Sequence, residues 1–306
     1  MSERSRAVAA DVARFVAITV ALSSVFASLI LRTGHIASGR SLFTRGLMWS
    51  PGLAALILMR WRGTSWRDIG WRWTGRWEWI SYGMAMSAGL AVYGLAWMTG
   101  ISGFPDRSAL ASISNDFGWR NLPDAVVVGG FTVLTMTLGM LPAVVSALGE
   151  EIGWRGYLVP RLSTVCGFTT TSMITGTIWA AWHYPMFVIS DYNRGGGLLY
   201  SLTCFTAFVL AGSVICTWLR LKSGSIWPGV MLHAANNLFV QDVLTPLSVS
   251  GPWSRYVLDQ FGCLLPILAA GVAYVVWRRR ADVEIAPAPE AEPSGAGAIS
   301  QLQPLA

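Results

Sequence analysis

Eight long apolar segments run through this 306-residue chain and leave little sequence outside them. They lie near residues 10–31, 42–59, 78–99, 124–147, 169–190, 197–219, 226–247 and 257–277. Each is close to the ~20 residues that an α-helix needs to cross the hydrocarbon core of a bilayer. The pattern therefore predicts an all-α fold, a polytopic membrane helix bundle of about eight transmembrane helices.

The amino-acid composition supports a lipid environment. Charged residues make up 12% of the chain, and the mean hydropathy is +0.49. Soluble domains carry about 25% charged residues, so this chain cannot cover a water-exposed surface of the usual kind. The net charge of +6 comes mostly from arginines that lie between apolar runs. That placement indicates contact with the lipid bilayer, and we expect no nucleic-acid partner.

The distribution of basic residues predicts the orientation in the membrane. Seven of the 22 Lys and Arg residues fall on one side of the predicted spans, and the other 15 fall on the side of the N-terminus. Cytoplasmic loops carry the excess of Lys and Arg, so we expect both termini in the cytoplasm. Lys222 is the single lysine, a composition typical of GC-rich bacterial genomes. We therefore expect a bacterial cytoplasmic membrane, with the first apolar segment kept as an uncleaved span.

One bundle accounts for almost the whole chain. We expect residues 1–280 to form a single transmembrane bundle with a catalytic core at about 124–247, and residues 281–306 to form a disordered cytoplasmic tail rich in Ala, Pro, Glu and Gly. The stretch 61–79 mixes six tryptophans with arginines and is typical of a loop at the headgroup level. The four cysteines contain no CxxC pair, which favours buried apolar residues over disulfides or a metal site.

Two adjacent glutamates lie at the end of the fourth segment, in the run Glu150-Glu151-Ile152-Gly153-Trp154-Arg155. Ionisable groups inside a span are costly and are candidates for function. On a helix Glu151 and Arg155 share a face and would partly neutralise each other. Glu150 points away from that pair, so we expect it to lack a local partner and to serve as a general base. The alternative is a helix end at which both acids are solvated.

Two later spans carry the other polar groups. Trp179-Ala180-Ala181-Trp182-His183 lies in the fifth segment, and His233-Ala234-Ala235-Asn236-Asn237 lies in the seventh. If each run is considered by itself, His183 can be a core residue whose hydrogen bonds are satisfied. The His233–Asn237 pair can likewise be a polar contact between helices. His35 lies in a loop, and we assign it no role.

Together, the three runs predict a shared site. Glu150 would take a proton from water, His183 would orient the water or relay that proton, and His233 with Asn237 would stabilise an oxyanion. Zinc bound by Glu150, His183 and His233 is the alternative, but no HExxH motif is present. We expect no cofactor, and zinc stays possible but disfavoured.

The three runs resemble the motifs of the CPBP family, the CAAX protease and bacteriocin-processing (Abi) family of intramembrane glutamic endopeptidases. That family carries EExxxR, FxxxH and HxxxN or HxxxD on successive helices, and this chain has the same order over residues 124–247. The resemblance implies a catalytic Glu150 assisted by His183, an oxyanion site at His233 and Asn237, and supporting roles for Glu151 and Arg155. Trp179 stands where the family usually has Phe, so the aromatic wall is kept with a larger ring.

The resemblance predicts an intramembrane endopeptidase that cleaves a membrane-bound peptide or protein near the cytoplasmic face. Eukaryotic members cleave prenylated CAAX proteins, whereas bacterial members are more varied, so the resemblance does not determine whether the substrate is prenylated. Two other functions stay open. One is an inactive immunity or peptide-binding protein of the same fold, and the other is a proton-coupled transporter that uses the buried Glu and His residues.

Overall fold

The computed structural model describes residues 2–33, 35–36, 42–192 and 196–283. These residues form helices and no strand. The α-helices are α1 Glu3–Thr33, α2 Leu42–Arg62, α3 Arg76–Met98, α4 Arg107–Asp116, α5 Asp124–Leu138, α6 Met140–Glu151, α7 Val159–Leu162, α8 Phe168–Ile189, α9 Leu198–Ser223, α10 Trp227–Asn236, α11 Thr245–Leu247, α12 Ser254–Val257 and α13 Leu264–Arg278. Short 3₁₀ helices span Trp66–Ile69 and Arg280–Asp282.

Two π-helical segments interrupt the bundle. Ile152–Leu158 joins α6 to α7, and Asn237–Leu244 joins α10 to α11. In both segments a backbone N–H donates to the carbonyl of the residue five positions earlier. The Val159 N–H, for example, donates to the Trp154 carbonyl. Such insertions are rare and often occur at functional sites, because they turn side chains away from the ordinary helical register.

The prediction of an all-α membrane helix bundle is confirmed, and each of the eight apolar segments contains a helix. Three helices are long and apolar enough to cross a membrane: Glu3–Arg32 of α1, α2 and α9. A fourth span arises if α5 and the stretch Met140–Leu162, which meet at a 46° bend, are taken together. The number of eight spans stays a prediction.

Some boundaries differ from the sequence-based expectation. The stretch 257–263 is not part of the last long helix, which begins at Leu264. Helix α4 was not predicted, because its mean hydropathy is low and it lies between two spans; Asp106 caps its N-terminus by accepting the backbone N–H of Ser108 and Ala109. Val283 is buried against the bundle, and the rest of the predicted tail, 284–306, lies outside the described residues.

The bundle has two ends. We call the end at which α1 begins the terminal face, and the opposite end the distal face. At the terminal face, Asp11 of α1 accepts hydrogen bonds from Arg62 at the end of α2 and from Arg161 of α7. At the distal face, the Ile36 N–H donates to Asp191, which follows α8. Buried Asp11 thus holds three helices together at one end, since a buried carboxylate is stable only when it is paired.

Small residues allow α2 to approach the motif-bearing helix closely. A Cβ added at Gly52 would lie 2.5 Å from the Gly149 carbonyl oxygen, and one added at Gly153 would lie 2.5 Å from Pro51. Helices in membranes pack through such small residues because lipid gives little hydrophobic drive for association. The contact places the end of α6 in the middle of the bundle, where the candidate site lies.

Candidate active site

Glu150 is 1% exposed and accepts hydrogen bonds from two tryptophans. Its Oε2 receives the indole N–H of Trp179 at 2.7 Å and that of Trp154 at 3.2 Å. The expectation that Glu150 has no local partner is therefore wrong. Trp154 lies four residues on along the helix, the same spacing that pointed to Arg155 as the partner of Glu151. Neutral donors satisfy the carboxylate without cancelling its charge.

Glu151 forms the centre of a buried ionic cluster. Its Oε1 accepts from Arg155 at 3.0 Å and faces His233 Nδ1 at 3.1 Å. The predicted Glu151–Arg155 pair is present, with both side chains 0% exposed. A solvated helix end is thus excluded for both glutamates, because Glu150 and Glu151 are buried.

Trp179 contacts both Glu150 and Arg155 of the first motif. The guanidinium of Arg155 lies 4.4 Å from the Trp179 ring centroid, a cation–π contact, while the indole nitrogen donates to Glu150. The ring of His233 lies 5.5 Å from the same tryptophan. Trp179 was expected only as a wall of the site. It also orients the carboxylate, and this hydrogen bond is one that phenylalanine cannot make.

His183 presents one ring nitrogen to the site. Its Nδ1 lies 2.9 Å from the backbone carbonyl oxygen of Trp179, so Nδ1 carries the hydrogen and donates. In the neutral ring this leaves Nε2 as an acceptor. Trp182, Tyr192 and Phe205 pack around the imidazole, and Tyr192 is stacked on it with an interplanar angle of 18°.

Asn237 begins a chain of side-chain amides. Its Oδ1 accepts from Gln241 Nε2 at 3.1 Å, and the same Gln241 nitrogen donates to Gln260 Oε1 at 2.9 Å. Gln260 in turn donates to the hydroxyl of Tyr192 at 3.2 Å. Because the Asn237 oxygen is occupied, its NH₂ group is left as a donor. The network also ties the ring that stacks on His183 to Asn237.

Sequence reasoning missed several of these residues. Gln241 lies four positions after Asn237, so helical spacing could have found it, as it could have found Trp154. Gln260 and Tyr192 come from connections far along the chain, and nothing in the sequence links them to the motifs. The π-helical segments directly follow Glu151 and Asn236, and no sequence pattern predicted them.

The four predicted catalytic residues line one cavity of about 750 Å³. Glu150, His183, His233 and Asn237 form its polar part, and most of the other lining side chains are apolar. A few convergent polar groups in a largely apolar cavity are typical of a site for a small molecule or a peptide segment. The cavity fits the shared site that the three motifs predicted.

No group of three His, Cys, Asp or Glu residues is placed to hold a metal ion in the part of the chain that the structure describes. The donor atoms of the proposed zinc ligands are partly engaged elsewhere. Glu150 Oε2 accepts two indole hydrogens, and Nδ1 of each histidine has a protein partner.

Known proteins share the motif region. Residues 130–239, which contain all seven predicted site residues, match the model of the Rce1-like family, described as type II CAAX prenyl endopeptidases. This match supports the resemblance of residues 130–239 to the CPBP family. CAAX prenyl protease 2 from Methanococcus maripaludis is 32% identical over 116 residues, which cover 36% of this chain and 42% of that protein. The chain thus spans about two fifths of the curated relative it matches. The CPBP resemblance inferred from the three motifs is confirmed, whereas the bacterial origin stays a prediction.

Proposed function

We propose that this chain is a membrane endopeptidase that hydrolyses peptide bonds of membrane-associated peptides or proteins with water activated by Glu150. One observation carries the proposal: Glu150, His183, His233 and Asn237 line a single cavity within a helical bundle. The CPBP kinship of residues 130–239 supports the endopeptidase class.

Water would be activated between Glu150 and His183. The water oxygen adds to the carbonyl carbon while its proton passes to the Glu150 carboxylate. His183 Nε2 accepts the second hydrogen of that water and so holds its lone pair towards the carbonyl. The Trp179 carbonyl fixes this tautomer by accepting the Nδ1 hydrogen. The two indole donors keep the Glu150 carboxylate in one orientation.

The oxyanion that forms would be bound by His233 and Asn237. The NH₂ group of Asn237 can donate to the oxyanion, because Gln241 bonds to the Asn237 oxygen and, among the described residues, no bond to the Asn237 nitrogen is present. His233 Nδ1 donates to Glu151, so Nε2 can donate when the ring carries both hydrogens, and the Glu151 carboxylate is the counter-charge for that form. The C–N bond then breaks as the proton on Glu150 passes to the leaving nitrogen, which restores the carboxylate.

Glu151, Arg155 and Trp179 are supporting residues in this proposal. Arg155 holds Glu151, which positions His233, and the Trp179 ring packs on Arg155. The apolar walls contributed by α3, α5 and α13 suit an apolar substrate segment. The curated relative is named a prenyl protease. We propose a membrane-associated peptide or protein as the substrate of this chain, with or without a prenyl group.

The test compares wild-type membranes with membranes that carry Glu150→Gln. Mass spectrometry should find cleavage products that disappear in the variant. Glu78→Gln is the matched control, because Glu78 is also 0% exposed but bonds to Thr74 away from the cavity. The products should persist in the control and after stringent chelation. If no product depends on Glu150, the proposed function is wrong, and loss of the products on chelation would favour the zinc alternative.

A further inference from the structure

One arginine on the wall of the cavity has no partner among the described residues. Arg45 lies in the first turn of α2 and lines the same cavity as Glu150. Its guanidinium forms no ion pair with the described residues, and its Nε is buried without a hydrogen-bond acceptor. A buried donor that lacks an acceptor costs free energy. The first turn of α2 has no acidic residue, so the partial positive charge of the helix end adds to that of Arg45.

The other charged side chains of the cavity do not neutralise Arg45. In the described part of the chain they are the carboxylates of Asp116, Glu150 and Asp242, and none of them is ion-paired with Arg45. Arg45 is thus the one guanidinium in the described lining. An ionisable group among apolar walls is costly unless it serves a ligand or a reaction, and the proposed reaction does not use Arg45. The missing acceptor is therefore expected to come from a bound molecule.

Arg45 lies within reach of a peptide held at Glu150. A Cβ added at Gly149 would lie 2.7 Å from the Trp49 Cα, so Trp49 is level with the residue that precedes Glu150. Arg45 comes four residues before Trp49, which is about 6 Å along the helix axis. Met48, between the two, also lines the cavity. An extended peptide advances about 3.3–3.6 Å per residue, so this offset corresponds to about two residues of substrate.

We propose that Arg45 binds a carboxylate of the substrate, about two residues from the peptide bond that is cleaved at Glu150. A guanidinium can hold a carboxylate through two parallel N–H bonds, and it keeps its charge at any physiological pH. The inference rests on the proposed function and adds one negative charge to the apolar segment proposed as substrate. The carboxylate is either the C-terminus of the peptide or an Asp or Glu side chain. Arg45 lies outside residues 130–239, so the family match assigns it no role.

Binding of short peptides to an inactive variant tests the proposal. The full chain with Glu150→Gln is placed in nanodiscs of zwitterionic lipid, so that peptides bind without being cleaved. The probes are an acetylated hexapeptide of Ala, Leu and Val as its C-terminal amide, the same peptide as the free acid, and amides with one Glu at each position in turn. Affinities are measured for Glu150→Gln alone and combined with Arg45→Gln, Arg45→Lys or Arg120→Gln. Arg120 is the matched control, because it is exposed and does not line the cavity.

We expect the free acid, a Glu-bearing amide or both to bind about tenfold more tightly than the neutral amide, as a charged hydrogen bond predicts. A preference for the free acid alone identifies a C-terminal carboxylate, and one for a Glu-bearing amide alone identifies a side chain. The preference should vanish in Arg45→Gln, persist in Arg120→Gln and be kept in part by Arg45→Lys. The neutral amide should bind Arg45→Gln as before, which shows that the cavity is intact.

Three results would overturn the role of Arg45: equal affinities for all the peptides, a preference that persists in Arg45→Gln, or no binding of any peptide. An equal loss of affinity for every peptide in Arg45→Gln would make Arg45 a structural residue and would also contradict the proposal. These readouts need no proteolysis. A preference that depends on Arg45, found together with the absence of any Glu150-dependent product, would therefore reject the proposed endopeptidase and keep the carboxylate site.

Discussion

The indole nitrogen of Trp179 lies 2.7 Å from Glu150 Oε2 and donates its hydrogen to that oxygen. The two residues are 29 positions apart and belong to α8 and α6. The contact joins two of the three motifs through a bond that the family's usual phenylalanine cannot make. It makes the proposed base of this chain dependent on an aromatic side chain as a hydrogen-bond donor.

Trp179→Phe should reduce kcat about tenfold while the protein stays folded. Hydrogen bonds to charged groups contribute about 1.5–3 kcal/mol, and the loss of one leaves the carboxylate held by Trp154 alone. The phenyl ring keeps the face on which Arg155 packs, so stability in detergent should change little. Turnover of the Glu150-dependent product and thermal unfolding measure the two effects. Unchanged turnover would show that Trp179 is only a wall of the cavity.

Gln241→Glu should lower kcat with little change in KM. An ionised glutamate cannot donate to Asn237 Oδ1, so the Asn237 amide would turn its NH₂ group towards the new carboxylate and away from the cavity. Loss of a donor used only in the transition state lowers kcat without weakening substrate binding. Gln241→Leu should have a smaller effect, because it loosens the amide without reversing it. A rise in KM alone would instead assign Gln241 to substrate binding.

Gly229→Ala should reduce activity by about tenfold or more. A Cβ at Gly229 would lie 2.9 Å from Glu151 Oε2, an oxygen that is buried and has no hydrogen-bond partner among the described residues. The carboxylate must shift and would move His233 with it, and small misplacements of such groups are costly. Gly94→Ala is the matched control, since nothing lies within 4 Å of its added Cβ. Equal activities of the two variants would contradict the positioning role of Glu151.

Acid should loosen α4 before the rest of the bundle. The Ser108 hydroxyl and the Ala109 N–H donate to Asp106, and these bonds hold the pKa of its carboxyl below the usual 3.8. A depressed pKa means that this cap stabilises the helix above about pH 3.8, and that its contribution is lost as the pH falls through the folded-state pKa. Hydrogen exchange of the α4 amides should therefore accelerate below that range.

Two variants isolate the cap. Asp106→Ala should show fast exchange in α4 at neutral pH, because N-cap removal costs ~1 kcal/mol. Asp106→Asn keeps a capping oxygen that does not titrate, so its α4 should lose the acid sensitivity. If acid accelerates exchange equally in Asp106→Asn and the wild type, another group controls the helix.

The helical bundle and the identity of the motif residues could be predicted from the sequence, because apolar length and i,i+4 spacing are local properties of the chain. The same spacing correctly gave Glu151–Arg155 and would have given Glu150–Trp154 and Asn237–Gln241. The bend between α5 and α6 and the two π-helical segments could not be predicted in this way, because packing against neighbouring helices selects them.

The sequence by itself determined that the chain forms an apolar helical bundle carrying Glu150, His183 and His233 on three segments, since burial of charge and helix length leave few alternatives. Only the tertiary structure decided that Trp179 donates to Glu150 and that Gln260 and Tyr192 complete the network around Asn237. These relationships join residues distant in the chain, and such contacts depend on how helices pack, which the spacing of residues within one helix does not specify.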